Sequence, residues 1–118
     1  MSKTISVSIG IPAFNEEANI ENIINDILQQ NQNNYHIDSI IVVNDGSSDN
    51  TESIVASMSI PIINLINHPV RSGLAAAQNT IIKKCNSDIL VLINSDAKII
   101  DKNFINKELV CQRHNLYG

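Results

Sequence analysis

The sequence predicts an α/β fold: a Rossmann-like, mostly parallel sheet with helices on both faces. Four short Ile/Val/Leu-rich runs, Val7 to Ile11, Ile40 to Val43, Ile62 to Ile66 and Ile89 to Ile93, are each bounded by turn-forming residues. The second and fourth are continuously apolar, as strands buried on both faces of a parallel sheet are. Helical patterns lie between the runs, and alternating strands and helices imply right-handed crossovers onto a parallel sheet.

Taken in order, the first strand leads to a helix opening at Asn15, an N-cap residue followed by Glu16 and Glu17. Those acids suit the positive end of a helix dipole. Ile20, Ile23, Ile24, Ile27 and Leu28 then fall at i, i+3, i+4, i+7 and i+8, the spacing of one apolar stripe. A second helix begins near Asp49, with Glu52 three residues on as a capping-box variant, and buries Ile54, Val55 and Met58. The third follows Gly73 and places Leu74, Ala77, Ile81, Ile82 and Cys85 on one face, its alanines allowing close approach to the sheet. A fourth opens at Asp101 and carries Phe104, Ile105 and Leu109. The amide-rich stretch Gln29 to Asn34 reads as a polar surface connection within one domain, residues 1–118.

At 118 residues, 43% hydrophobic and 17% charged, the chain has globular composition, and disorder is excluded. Eight basic residues against twelve acidic ones give a net charge of −4, with the basic residues scattered, so nucleic acid is excluded as a partner. An anionic ligand would have to be met by a local device: a divalent cation, a helix N-terminus or a single Arg. Cys85 and Cys111 stand alone, without CxxC or a His pair, which argues for free thiols in a reducing compartment and against structural zinc. No apolar run approaches the roughly 18 residues of a membrane-spanning helix. A cytoplasmic chain is expected, soluble or membrane-peripheral.

In such folds ligands bind beyond the carboxyl ends of the strands, near the point where strand order reverses. The loops to inspect are therefore Pro12-Ala13-Phe14-Asn15-Glu16, Asn44-Asp45-Gly46-Ser47-Ser48-Asp49, Asn67 to Gly73, and Asn94-Ser95-Asp96-Ala97. The segments IPAFNEE after the first strand and VVNDGSSDNT at the second resemble the paired signatures of the family 2 glycosyltransferases, nucleotide-sugar-dependent enzymes of the GT-A fold. The resemblance continues through GLAAAQN, Gly73 to Asn79, and LVLINSD, Leu90 to Asp96, in the family's order and over nearly the whole chain.

The resemblance implies transfer of a sugar from a nucleotide diphosphate, a UDP-sugar being favoured, to a hydroxyl of a glycan, lipid or protein acceptor, as in cell-wall or polysaccharide synthesis. Inversion at the anomeric carbon and dependence on Mg²⁺ or Mn²⁺ are implied with it. Phe14 would stack on the base, or else serve as a core residue at the strand end. Asp45 would accept the base N–H, a task for an ionised, acceptor-only side chain; turn chemistry is its alternative. Pro12 and Ala13 shape the same loop, and Asn15 and Glu16 divide between capping and donor contacts. Ser47, Ser48 and Asp49 read as helix capping first. Asn94 stands where many members carry the first acid of a DxD motif; it can hydrogen-bond ribose but brings no charge, while Ser95 contacts the donor and Asp96 holds the metal. Arg71 and Gly73, at the start of the third helix, would meet a phosphate or a base carbonyl, a solvated Arg71 being the alternative. His68 and His114 read as surface residues.

The family takes its catalytic base from a second half that also holds the acceptor pocket. The chain is thus expected to be truncated after the metal motif, with the base beyond Gly118, weak donor binding and little or no transfer on its own, and a sheet flank left open to self-association. A nucleotidyltransferase is an alternative, but IPAFNEE lacks a Gly-rich phosphate loop and a basic residue. A non-catalytic nucleotide- or partner-binding module is another. GxGxxG and GxxxxGK[ST] are both absent, which disfavours dehydrogenases and P-loop enzymes.

Overall fold

The structure is a computed structural model that describes residues 4–109; Cys111 and His114 lie outside them. Strands β1 (Ile5–Ala13), β2 (Tyr35–Asp45), β3 (Ile63–His68) and β4 (Ile89–Leu92) alternate with helices α1 (Ile20–Leu28), α2 (Thr51–Met58) and α3 (Leu74–Lys84). A last helical stretch covers residues 104–109. The strands form one sheet in the order β3-β2-β1-β4, parallel at every pairing. The chain therefore winds outward from β1 to β3 and then crosses back to the far side of β1. The reversal falls between β1 and β4, where such sheets open a crevice at the carboxyl ends of their strands.

Side-chain alternation along each strand sends successive residues to opposite faces. Val7, Ile9, Ile11 and Ala13 of β1 join Ile40 and Val42 of β2 in the larger core, closed by Ile20, Ile23, Ile24 and Ile27 of α1, Val55 of α2, and Ile105 and Leu109. On the other face Ile41 and Val43 pack against Ala77 and Ile81 of α3. Gly10 lets α3 come this close: a methyl built there would lie 2.5 Å from Cγ2 of the buried Ile81.

Four details depart from the sequence expectations. Helix α1 starts at Ile20, after Asn19, and Asn15 does not cap it. Asn15 instead has φ of 51°, the left-handed region that asparagine tolerates better than most residues. In α2 the capping box is not closed. Asp49 Oδ1 accepts the Thr51 N–H at 2.9 Å, but Glu52 turns outward to accept from the Asn67 amide at 3.1 Å. On α3, Leu74 and Ile82 are exposed, because only the centre of the helix, at Ala77 and Ile81, meets the sheet. In α2, Ile54 and Met58 are only partly buried beside Val55.

The amide-rich segment is more than a surface connection. Gln30 is buried; its Nε2 donates to the Asp101 carbonyl at 2.8 Å and its Oε1 accepts the Ile105 N–H at 3.1 Å. That N–H is one of the donors a helix start leaves without an intrahelical partner. Gln30→Ala is expected to lower unfolding free energy by about 2–3 kcal/mol, since the buried Ile105 N–H loses its partner at ~1–3 kcal/mol and the part-buried Asp101 carbonyl loses its partner at less. Urea denaturation measures it.

Candidate functional site

The carboxyl ends of β1, β2 and β4 lie side by side. Ala13 pairs with Asn44 of β2 and Gly10 with Leu92 of β4, while the Ile93 N–H reaches the Gly10 carbonyl at 2.9 Å. With strands spaced about 4.8 Å apart, the exits of β2 and β4 are separated by about 10 Å across β1. Loops carrying Phe14, Asp45 and Asp96 leave this one edge.

The first two loops are laced together by short hydrogen bonds. The Asn15 N–H donates to Ser47 Oγ at 2.9 Å, and Asn15 Oδ1 accepts the Ser48 N–H at 2.8 Å. The Glu16 N–H donates to Thr51 Oγ1 at 2.9 Å, and the Glu17 N–H to Asp49 Oδ2 at 3.2 Å. Asn15 and the backbone of Glu16 thus serve loop-to-loop bonding, and Ser47, Ser48 and Asp49 hold the first loop as well as opening α2. Burial works against ionised Asp49, but the hydrogen bonds from Thr51 and Glu17 outweigh it and keep its carboxyl below the ordinary aspartate value.

Asp45, 4% exposed, is the most constrained acid of the site. Its Oδ1 accepts from His68 Nδ1 at 2.8 Å and from the Ser72 N–H at 2.9 Å. Its Oδ2 accepts the Gly73 N–H at 2.9 Å. Burial pushes against ionisation, yet the donors from His68, Ser72 and Gly73 together hold the carboxyl below its usual 3.8. Asp45 is therefore an anion throughout the neutral range and can only accept.

Beside it Phe14 is half-buried, and the Arg71 guanidinium carbon lies 4.0 Å from the centroid of its ring, a cation–π contact. Pro12, Ala13, Phe14, Asp45 and Arg71, with Leu74 and Ala77, line one cavity of about 110 Å³. That is the scale of a single planar ring, well below the ~300–1,000 Å³ of a whole drug-sized ligand site. Gly73 takes part through its N–H on Asp45.

Asn94, Ser95 and Asp96 form a turn after β4, closed by the Ala97 N–H on the Asn94 carbonyl at 3.1 Å. Ser95 is buried, while Asn94 and Asp96 are exposed at the rim. Among the described residues no cluster of three or more His, Cys, Asp or Glu is arranged to hold a metal; Asp96 is a lone carboxylate.

One residue read as bland surface belongs to the site. His68 is mostly buried, with its side chain 16% exposed, and it is in contact with Asp45. Its position is set by the β2–β3 register, which pairs Asp45 with His68.

The model of the family described as "Glycosyl transferase family 2" matches residues 8–107 of this chain. A UDP-Glc:alpha-D-GlcNAc-diphosphoundecaprenol beta-1,3-glucosyltransferase from Escherichia coli is 33% identical over 90 residues, which cover 76% of this chain and 34% of that protein. The mannosyltransferase PcManGT of Pyrobaculum calidifontis, solved with GDP-Man and Mn²⁺, superposes with a TM-score of 0.80 at 24% identity, covering 92% of this chain and 32% of that one. Glucosyl-3-phosphoglycerate synthase of Mycobacterium tuberculosis, solved with Mn²⁺, UDP and glucosyl-3-phosphoglycerate, gives a TM-score of 0.68 at 30% identity, covering 86% of this chain and 37% of that one. The chain spans about a third of the length of the curated relatives it matches.

Proposed function

The chain belongs to glycosyl transferase family 2, and from that membership we propose that it forms the donor-binding domain of a GT-A glycosyltransferase. The donor is a nucleotide-diphosphate sugar, with uridine as the favoured base, and the sugar passes to an acceptor hydroxyl with inversion. The observation that carries this reading is the ring-sized cavity walled by Phe14 and Arg71, with ionised Asp45 at its side. A carboxylate offers about four acceptor positions, and the His68, Ser72 and Gly73 donors use three. The fourth suits the imide N–H of uracil. Arg71 brings donors for a base carbonyl or a phosphate and a positive charge that offsets the chain's net charge of −4.

The diphosphate would extend from this cavity past the end of β1 to the 94–97 turn. Mg²⁺ and Mn²⁺ are hard cations that accept one carboxylate together with phosphate oxygens and water, so the lone Asp96 fits such an ion. When bound, the ion neutralises charge on the departing diphosphate. Asn94 offers hydrogen bonds to ribose, and the turn closed by the Ala97 N–H buries Ser95 and leaves Asn94 and Asp96 exposed. Among the described residues no helix is long and apolar enough to cross a membrane.

Titration calorimetry tests the reading. UDP is expected to bind in the presence of Mn²⁺ and to bind more weakly in EDTA; a preference for nucleoside triphosphates, or no UDP binding, contradicts it. Phe14→Ala is expected to weaken UDP about tenfold, since loss of one base–aromatic stack is worth ~1–3 kcal/mol. An unchanged affinity would remove Phe14 from the donor site.

A further inference from the structure

Resting on the reading of Asp45 as acceptor of the base N–H, we infer that His68, braced by Thr80, is a positioning residue for donor binding. It fixes the Asp45 carboxylate so that its remaining acceptor position faces the Phe14–Arg71 cavity. The imidazole bridges two elements: Nδ1 lies 2.8 Å from Asp45 Oδ1, and Nε2 lies 2.9 Å from Thr80 Oγ1 on α3. Thr80 Oγ1 is in turn 3.1 Å from the Ala76 carbonyl. Facing an ionised carboxylate, Nδ1 must carry a proton. Nε2 can then be served in two ways. The Thr80 hydroxyl donates to a bare Nε2, or it donates to the Ala76 carbonyl and accepts from a protonated Nε2. Both arrangements keep the Nδ1 proton on Asp45, so the brace holds whichever form the ring takes.

The Ser72 and Gly73 N–H groups hold one Asp45 oxygen each, both from the loop that also carries Arg71. His68 supplies the contact from the sheet itself, since β3 pairs directly with β2 at this position. Without it the carboxylate is held by the 70–73 loop alone, and the base N–H meets an acceptor that shifts with that loop.

Two readouts on His68→Phe and His68→Asn test this. Phe keeps an aromatic ring and loses both ring nitrogens; Asn keeps a donor near the Nδ1 position. In His68→Phe, the Asp45 side-chain carboxyl, followed by carbon NMR without ligand, should titrate at higher pH than in the wild type. UDP affinity in Mn²⁺ should fall about tenfold, the scale of one hydrogen bond to a charged group. His68→Asn should recover both, to within about threefold in affinity. Wild-type affinity in His68→Phe, or no recovery in His68→Asn, overturns the assignment. Where His68→Phe does not fold, Thr80→Val replaces it: it removes the brace alone and should weaken UDP about threefold, and an unchanged affinity overturns the bracing. A wild-type protein that binds no UDP overturns the donor-site reading and this role together, which separates that failure from failure of His68 alone.

Discussion

Asp45→Asn is expected to weaken UDP binding by at least about 100-fold, roughly 2.7 kcal/mol, and to destabilise the fold by about 2–4 kcal/mol. Three donors, from His68, Ser72 and Gly73, converge on this side chain. An asparagine has one acceptor oxygen and an NH₂ group, so however the amide turns, donor faces donor. The orientation with fewer conflicts sets the NH₂ at the Oδ2 position, against the Gly73 N–H alone, and there it also replaces the acceptor left for the base N–H. Calorimetry with UDP and urea denaturation at neutral pH read the two effects.

The same substitution has a signature in acid. The carboxyl of Asp45 lies below its usual 3.8 in the folded protein. A depressed folded value contributes stability that is fully present above the unfolded value and is lost as pH falls through the folded one. The stability gap between wild type and Asp45→Asn should therefore be constant through the neutral range and narrow below about pH 4. A gap that stays constant down to pH 2 would show that the donors around Asp45 do not favour its ionised form.

Gly46→Ala is expected to destabilise by about 3 kcal/mol or more and to abolish UDP binding with it. Gly46 has φ of 71°, and a methyl built there would lie 2.6 Å from the Val70 carbonyl carbon and closer still to the Arg71 nitrogen. Both neighbours are backbone, so no rotamer change relieves the clash. Residues 70–73 would have to move as a unit, taking Arg71 from the Phe14 ring and the Ser72 and Gly73 N–H groups from Asp45. Thermal denaturation and UDP titration measure the two losses; near-normal values for both would mean that this close approach does not shape the site.

Much of the fold is legible in the sequence because the signals are local. Four branched-aliphatic runs lie within the four strands or at their ends, and the stripe from Ile20 to Ile27 is the buried face of α1. Loops found by their place after each strand bring Pro12, Ala13, Phe14, Asp45 and Arg71 to one cavity. What stays hidden is set by tertiary context. Asn15 with two following glutamates satisfies every local rule for a helix start, yet its side chain is engaged by Ser48 on the neighbouring loop. Leu74 and Ile82 share the periodicity of Ala77 and Ile81, but periodicity does not report how wide a contact the sheet offers. His68 joins the site only through the register of β2 against β3, and no spacing along the chain encodes that pairing. By sequence Arg71 suits solvent and ligand equally; its place over Phe14 depends on a loop that Gly46 allows to approach.

In the proposed complex one molecule spans the Phe14–Asp45 cavity and the Asp96 turn at the same time. The most direct test is amide NMR of the protein with UDP and substoichiometric Mn²⁺. UDP is expected to shift the Ser72 and Gly73 amides, and the paramagnetic ion, only when UDP is present, to broaden residues 94–97. Broadening centred elsewhere in the chain, or UDP shifts that leave Ser72 and Gly73 untouched, would contradict it.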